Sequence, residues 1–335
     1  MKLSLIFLLI CPKCKNELKL SSSTFDNQKE IETGILTCIN CKQGYPIING
    51  IPRMLTDTTR QKKTWESFSY EWLHYNGQLG DEKKIFLEET QIAEKDWAGK
   101  LVLDAGCGMG RFTKVALELG AEVVAIDLSE SILRTKELSK MYDRLHVLQT
   151  DLFSLPFREK IFDIIYSQGV LHHTPNPEKA FFNLTQLLRP GGILTVWVYG
   201  KAGGYKNFKT NPLKKEQLHF KKILFLVWLV VFIRGLISNI LRKVTTKLPY
   251  PLLYCFCYPL AWLGRLPFIK YLTFSVHPNW KVRLQENFDW LSPEYQSHHT
   301  KEEVSSWFEQ AGFSDLQILP HGFVPKVGIK GIKRQ

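Results

Sequence analysis

The stretch LVLDAGCGMGRFTKVALELG, residues 101–120, decides the fold. An apolar run at 101–103 is followed by Asp104, then by glycines at Gly106, Gly108 and Gly110, then by a helical pattern over 112–119. Strand, glycine turn and helix in that order predict a βα unit whose turn brings backbone close to a ligand. A dinucleotide-binding turn reads GxGxxG, and the place of its last glycine is held here by Arg111, which argues against a nicotinamide cofactor. Asp104 sits at the carboxyl end of its strand, the edge where open α/β sheets bind ligands. A carboxylate there suits a cationic group rather than a pyrophosphate.

Further βα units follow. A second strand at 122–126 ends in Asp127, twenty-three residues beyond Asp104, where it can accept both hydroxyls of a ribose. A helix over 129–141 leads to a strand at 145–149 and then to Asp151 and Leu152. The fourth strand, 162–166, opens into the run SQGVLHHTP that starts at Ser167. A helix at 181–188, a turn at 189–192 and a fifth strand at 193–199 complete this part. Near the end, Thr300 and Glu303 make a capping box, Gly312 stops the helix, and strands are expected at 313–319 and, antiparallel, at 322–329.

LVLDAGCGMG, the acids at successive strand tips, SQGVLHHTP and LLRPGG together resemble the class I S-adenosylmethionine-dependent methyltransferases, of the type related to the ubiquinone and menaquinone C-methyltransferases. The resemblance implies a seven-stranded, doubly wound Rossmann-like α/β domain. It implies S-adenosylmethionine as cofactor, held by Asp104, Gly106, Gly108, Gly110, Asp127, Asp151, Leu152 and Ser167. Strand four of that family opens onto the methyl group, so His172 and His173 are candidate proton acceptors, set against the plainer role of loop histidines bonding to backbone. Tyr295, His298 and His299 lie just ahead of the last helix, where they could orient an acceptor or simply belong to the cap region.

The N-terminal residues read differently. Cys11-Pro-Lys-Cys14 and Cys38-Ile-Asn-Cys41 are two CxxC pairs, able to close a tetrahedral zinc site that stabilises a module too small to rely on its core. With the run YPIINGIP they resemble the small zinc-ribbon domain that activates tRNA and protein methyltransferases. Zinc is therefore expected as a structural ion, with Cys11, Cys14, Cys38 and Cys41 as ligands. The opening MKLSLIFLLI is expected to be the first strand of this module. No small-residue cleavage site follows it, which argues against a signal peptide. Over residues 56–99 a polar linker precedes an aromatic-rich helix, from which Trp72 and Tyr75 are candidates for a lid over the cofactor.

The net charge of +12 is localised. Residues 200–285 carry fifteen Lys and Arg against a single acid, Glu216, and the remainder is near neutral. This basic segment is also apolar, with eleven apolar residues at 223–233 and a proline-broken apolar stretch at 248–264. Three readings compete: a hydrophobic cap over an apolar substrate, a membrane-surface anchor, and a transmembrane hairpin, for which both stretches are short. Nucleic acid is disfavoured, because the bases alternate with long apolar runs rather than with polar and stacking residues. The expected organisation is a zinc-ribbon-like domain at 1–55, linker and lid at 56–99, cofactor-binding core at 100–199, a hydrophobic basic insert at 200–285 and the C-terminal part of the core at 286–335. The expected function is methyl transfer to a small, apolar or lipid-like acceptor. The alternatives are a tRNA or protein methyltransferase with a fused activator and a non-catalytic cofactor-binding scaffold. Paired cysteines and the basic insert suggest a reducing compartment, the cytoplasm, at the inner face of the membrane.

Overall fold

A computed structural model describes residues 1–26, 30–56, 61–75, 81–201, 224–267, 269–271, 273–275, 277–320 and 326–334. Its centre is a seven-stranded sheet. Strand β5 (Leu101–Ala105) pairs in parallel with β6 (Glu122–Asp127) on one side and β8 (Phe162–Gln168) on the other. Beyond β6 lies β7 (Leu145–Gln149). Beyond β8 lie β9 (Leu188–Tyr199), β11 (Lys326–Lys333) and β10 (Phe313–Ile318), giving the order β10-β11-β9-β8-β5-β6-β7. Only β11 runs antiparallel to its neighbours. Val102, Leu103, Val123 and Val124 are fully buried, as strands covered on both faces by helices require. Helices α3 (Arg111–Glu118), α4 (Ile132–Glu137), α5 (Pro177–Leu187) and α9 (Lys301–Gln310) belong to this domain. The capping box of α9 is formed by Thr300 and Glu303 as expected.

Three local expectations are corrected. The turn at 189–192 lies inside β9, as a bulge: β9 pairs with Phe162 at Leu188 and with Ile164 at Ile193, and Gly191 takes a φ of +75°, where a side chain would be strained. The helix expected over 129–141 is regular only from Ile132 to Glu137 and tightens into a 3-10 turn at Leu138–Lys140. The last strand is Lys326–Lys333 rather than 322–329, and residues 321–325 lie outside the described part.

The N-terminal module is a four-stranded antiparallel sheet of β1 (Leu18–Phe25), β2 (Ile31–Cys38), β3 (Gly44–Ile48) and β4 (Ile51–Pro52). Its expected first strand is instead a 3-10 helix, Leu3–Leu8. Met1, Leu5 and Leu9 are buried while Leu3 and Phe7 are 52 % and 78 % exposed, so the apolar residues are used with a period of four and not of two. The module closes the β7 edge of the large sheet. Arg53 bridges in parallel to Gln149, Met54 N–H donates to the Gln149 carbonyl at 2.8 Å, and Leu9 bridges to Phe157. An otherwise unpaired edge is thereby covered.

Helix α1 (Lys62–His74) crosses to the basic insert, and α2 (Glu82–Thr90) packs against α3. The described insert consists of α6 (Leu224–Thr245), α7 (Tyr250–Leu263) and α8 (Trp280–Leu291), so α8 runs across the boundary expected at 285. Leu253, Cys257 and Ala261 of α7 are buried in one cluster with Leu284 and Phe288 of α8. Ser67 of α1 hydrogen-bonds Ser292 at 2.8 Å, tying lid helix and insert together. No helix among the described residues is long and apolar enough to cross a membrane.

Candidate functional site

A cavity of about 550 Å3 opens at the carboxyl ends of β5, β6 and β8, between the sheet, α1 and the insert. Its floor is the glycine turn. Gly106 has a φ of +92°, and a Cβ there would stand 2.4 Å from Val170 Cγ2; a Cβ at Gly108, φ +54°, would lie 3.5 Å from the Trp72 indole. Both positions expose backbone to the cavity because side chains would fill it. Gly110 acts differently. It lies outside the lining, with a φ of +84° at the N-cap of α3 and Thr135 Oγ1 3.0 Å from where its Cβ would be.

Two buried carboxylates flank the turn. Asp104 accepts from Thr113 Oγ1 at 2.6 Å, and burial pushes its carboxyl up to about 7. Asp127 accepts from the Gly108 N–H on one oxygen at 2.8 Å and from Ser129 N–H and Oγ on the other at 2.8 and 2.6 Å. It therefore holds the turn in shape while keeping lone pairs toward the cavity, and burial raises its pKa too. Asp151 and Leu152 line the next strand tip, with Asp151 accepting the Phe153 N–H at 2.7 Å. A backbone-lined turn between acids that can accept hydroxyls and face a cation fits S-adenosylmethionine. Ser167 does not line the cavity: it is fully buried, its Oγ donates to the Ala105 carbonyl at 2.8 Å, and the next residue, Gln168, lines the cavity.

The histidines separate. His173 lines the cavity; its Nδ1 is 3.1 Å from the Tyr295 carbonyl and its Nε2 is 3.8 Å from an Asp289 carboxylate oxygen. His172 is fully buried behind it, its ring 3.9 Å from that of Tyr199, with no partner for either ring nitrogen among the described residues. Burial and the neighbouring histidines hold it well below the ordinary imidazole value, so it is a neutral core ring rather than an accessible base. None of Tyr295, His298 and His299 lines the cavity. Tyr295 offers its backbone carbonyl to His173. His298 stacks 5.8 Å from Tyr199, and His299 is engaged by Glu303 and Ser297 at 2.9 and 2.8 Å. They form the support behind the wall.

Of the two lid candidates, Trp72 reaches the cavity and Tyr75 does not; Tyr75 is buried with its ring edge-on to Trp72. The opposite wall comes from residues not singled out in the sequence, chiefly Glu286, Asp289 and Trp290 of α8, with Trp197 of β9. Asp289 accepts from the Tyr199 hydroxyl at 2.9 Å. A signal existed: Glu286 and Asp289 are three apart in a helix whose Leu284, Phe288 and Leu291 are core residues, a spacing that sets the acids beside the buried face.

In the N-terminal module the four cysteine Sγ atoms all lie within 4.8 Å of one another, with Cys11–Cys41 at 3.7 Å and Cys14–Cys38 at 3.3 Å. Zinc–sulfur bonds of ~2.3 Å in a tetrahedron demand sulfur–sulfur edges of ~3.8 Å. The four thiols fit a closed structural zinc site.

Residues 103–196 match the family model described as a methyltransferase domain, and residues 2–50 match that of Trm112p-like proteins. The chain is 27 % identical to an uncharacterised chloroplastic methyltransferase of Arabidopsis thaliana over 64 % of its own length and 68 % of that protein's. It is 34 % identical to a ubiquinone biosynthesis O-methyltransferase of Azoarcus sp., over 32 % of its own length and 51 % of that protein's. It thus spans about half the length of that relative. Among solved structures, magnesium protoporphyrin IX methyltransferase of Synechocystis with bound S-adenosylhomocysteine is similar at 14 % identity and a TM-score of 0.44, covering 82 % of this chain and 99 % of that one.

Proposed function

We propose that this chain, which carries an S-adenosylmethionine-dependent methyltransferase domain behind a Trm112-like ribbon, transfers the methyl group to a small acceptor with a largely apolar or lipid-like body and one protonated nucleophile. The observation that carries this reading is the continuity of one cavity from the glycine turn to His173. When bound, S-adenosylmethionine supplies a methyl group already activated on a sulfonium. Asp104, the turn at Gly106 and Gly108, Asp127, Asp151 and Leu152 would hold it. Phe68, Trp72, Trp197 and Trp290 offer apolar surface to the acceptor, and closure of α1 and the insert around it excludes water.

What remains for the protein is positioning, which supplies ~7 to 11 kcal/mol of such a barrier when nucleophile and carbon are aligned, and one proton. A carbonyl can only accept, so the ring proton of neutral His173 belongs on Nδ1, facing Tyr295, and Nε2 is left basic. Burial holds His173 below the ordinary imidazole value and keeps it unprotonated near neutral pH. A hydroxyl proton taken by Nε2 leaves an imidazolium that Asp289 stabilises. O-methylation, the reaction in the name of the Azoarcus relative, is a reaction such a base serves.

The Trm112p-like match favours a second reading, an RNA or protein acceptor. Against it, the far wall of the cavity is built from this chain's own aromatic side chains. Purified protein incubated with methyl-labelled cofactor and fractionated cell extract separates them. Label in the organic-soluble fraction supports the small acceptor; label in RNA or protein replaces it; tight cofactor binding without transfer to any fraction identifies a scaffold.

A further inference from the structure

Helix α6 is turned inside out. Among the described side chains of α6, those that meet the body of the protein are polar: Ser238 Oγ donates to the Trp290 carbonyl at 3.1 Å, Arg242 to the Pro293 carbonyl at 2.6 Å, and Thr245 Oγ1 to the Leu291 carbonyl at 2.8 Å, while Arg234 is buried against the cavity. The side chains that face outward are large and apolar, with Phe232, Leu236, Ile240 and Val244 between 49 % and 62 % exposed. Helix α7 also exposes large apolar rings, Phe256 at 55 % and Trp262 at 62 %. An ordinary surface helix does the reverse, and an apolar face of this extent marks a contact with something other than water.

The charge around it says what that is. Neither helix contains an acid, and Lys243, Lys247 and Arg265 are exposed at its ends. Two copies of such a face would bring like charges together in an isologous contact, which opposes self-association. Bases snorkelling from a long apolar face, with Trp and Tyr among the exposed rings, match the boundary of an anionic bilayer. We propose that the outward face of α6 and α7 lies on an anionic lipid surface, the apolar side chains inserted and the bases on the headgroups. Because Arg234 of the same helix lines the cavity, bilayer and pocket lie on two sides of one helix. The surface contact does not depend on the methyl-transfer reading.

The test is co-sedimentation of the full chain with equimolar phosphatidylglycerol–phosphatidylcholine vesicles and with phosphatidylcholine vesicles alone. The expected result is pelleting with the anionic vesicles, weakened by raised salt. The double variant Leu236→Asp/Ile240→Asp should lose at least about tenfold in partitioning while its melting temperature and cofactor binding stay at the parent's. Lys243→Glu/Lys247→Glu, which touches no apolar residue, should also weaken the anionic preference. Equal pelleting with both vesicle types, or none, overturns the proposal, as does an unchanged preference in the lysine variant. A doubled mass in solution that the Leu236/Ile240 variant abolishes would assign the face to a second copy instead.

Discussion

The Nδ1 atom of His173 lies 3.1 Å from the carbonyl oxygen of Tyr295, 122 residues away in the chain, and that one contact decides which ring nitrogen can act as a base. Replacing His173 by Gln keeps a polar side chain but no base. Turnover should fall by ~10²–10⁴ for an acceptor that must lose a proton, with cofactor affinity within a factor of about two. Steady-state kinetics paired with calorimetric titration of the cofactor would show both, and unchanged kcat would remove His173 from the mechanism.

The pH profile follows from the same burial. His173 is held below its ordinary value of 6.5 by desolvation, partly offset by Asp289 and the Tyr295 carbonyl. Its basic form therefore persists below 6.5, and kcat/KM should stay level through that point and fall only at lower pH. In Asp289→Asn the stabilising charge is gone, the fall on the acid side should move to still lower pH, and kcat should drop because the imidazolium is unsupported.

Asp104 makes a second, opposite titration. Burial raises its carboxyl from 3.8 to about 7, so the folded chain keeps a proton that the unfolded chain has released. The acid thus costs stability increasingly as pH rises from 3.8 toward 7. A cation bound beside it favours the ionised form. Cofactor affinity should accordingly rise with pH up to about 7 and then level, with proton release below that value, and Asp104→Asn should bind weakly and without the pH dependence. Calorimetry in two buffers of different ionisation enthalpy measures the released protons.

Gly106→Ala should abolish cofactor binding without unfolding the domain. The new Cβ would collide with Val170 at 2.4 Å and force a side chain into a φ of +92°, strain of ~1–3 kcal/mol. Gly99→Ala, at a φ of +71° but with nothing within 4 Å, is the control: it carries backbone strain and no collision, so its binding should remain.

Removal of zinc should be felt at the cofactor. Arg53 follows the ribbon's last strand and donates to Gln149 at 2.6 Å and to Glu130 at 2.9 Å; Glu130 adjoins Ser129, which holds Asp127. Cys38→Ser, or chelation, should empty the site by atomic absorption, lower the melting temperature and weaken cofactor binding several-fold. Arg53→Ala should reproduce the last effect while zinc stays bound.

How much of this was legible beforehand depends on the range of the interactions. The paired cysteines, the glycine turn, the parallel strands and the α9 capping box are local patterns, written in spacings of two to four residues, and the structure brings the four thiols together and carries the other three as read. MKLSLIFLLI was misread as a strand because an unbroken apolar run has no period of its own; contact with β7's far loop selects one side of a helix turn. Ser167 at the end of a strand and His298 and His299 just ahead of the last helix had suitable chemistry, yet their hydrogen-bonding capacity or ring faces are used by neighbours that only the folded chain supplies.

The sequence by itself determined the run of parallel strands and helices, the acids at successive strand tips and the ribbon's four thiols, because backbone propensity and cysteine spacing act over a few residues. Tertiary structure alone decided that His173 and not His172 faces the cavity, that Glu286 and Asp289 complete its wall, and that α6 presents its apolar side outward. Each of those outcomes is set by packing between segments more than a hundred residues apart or by the choice of which helix face is covered, and neither is encoded in local spacing.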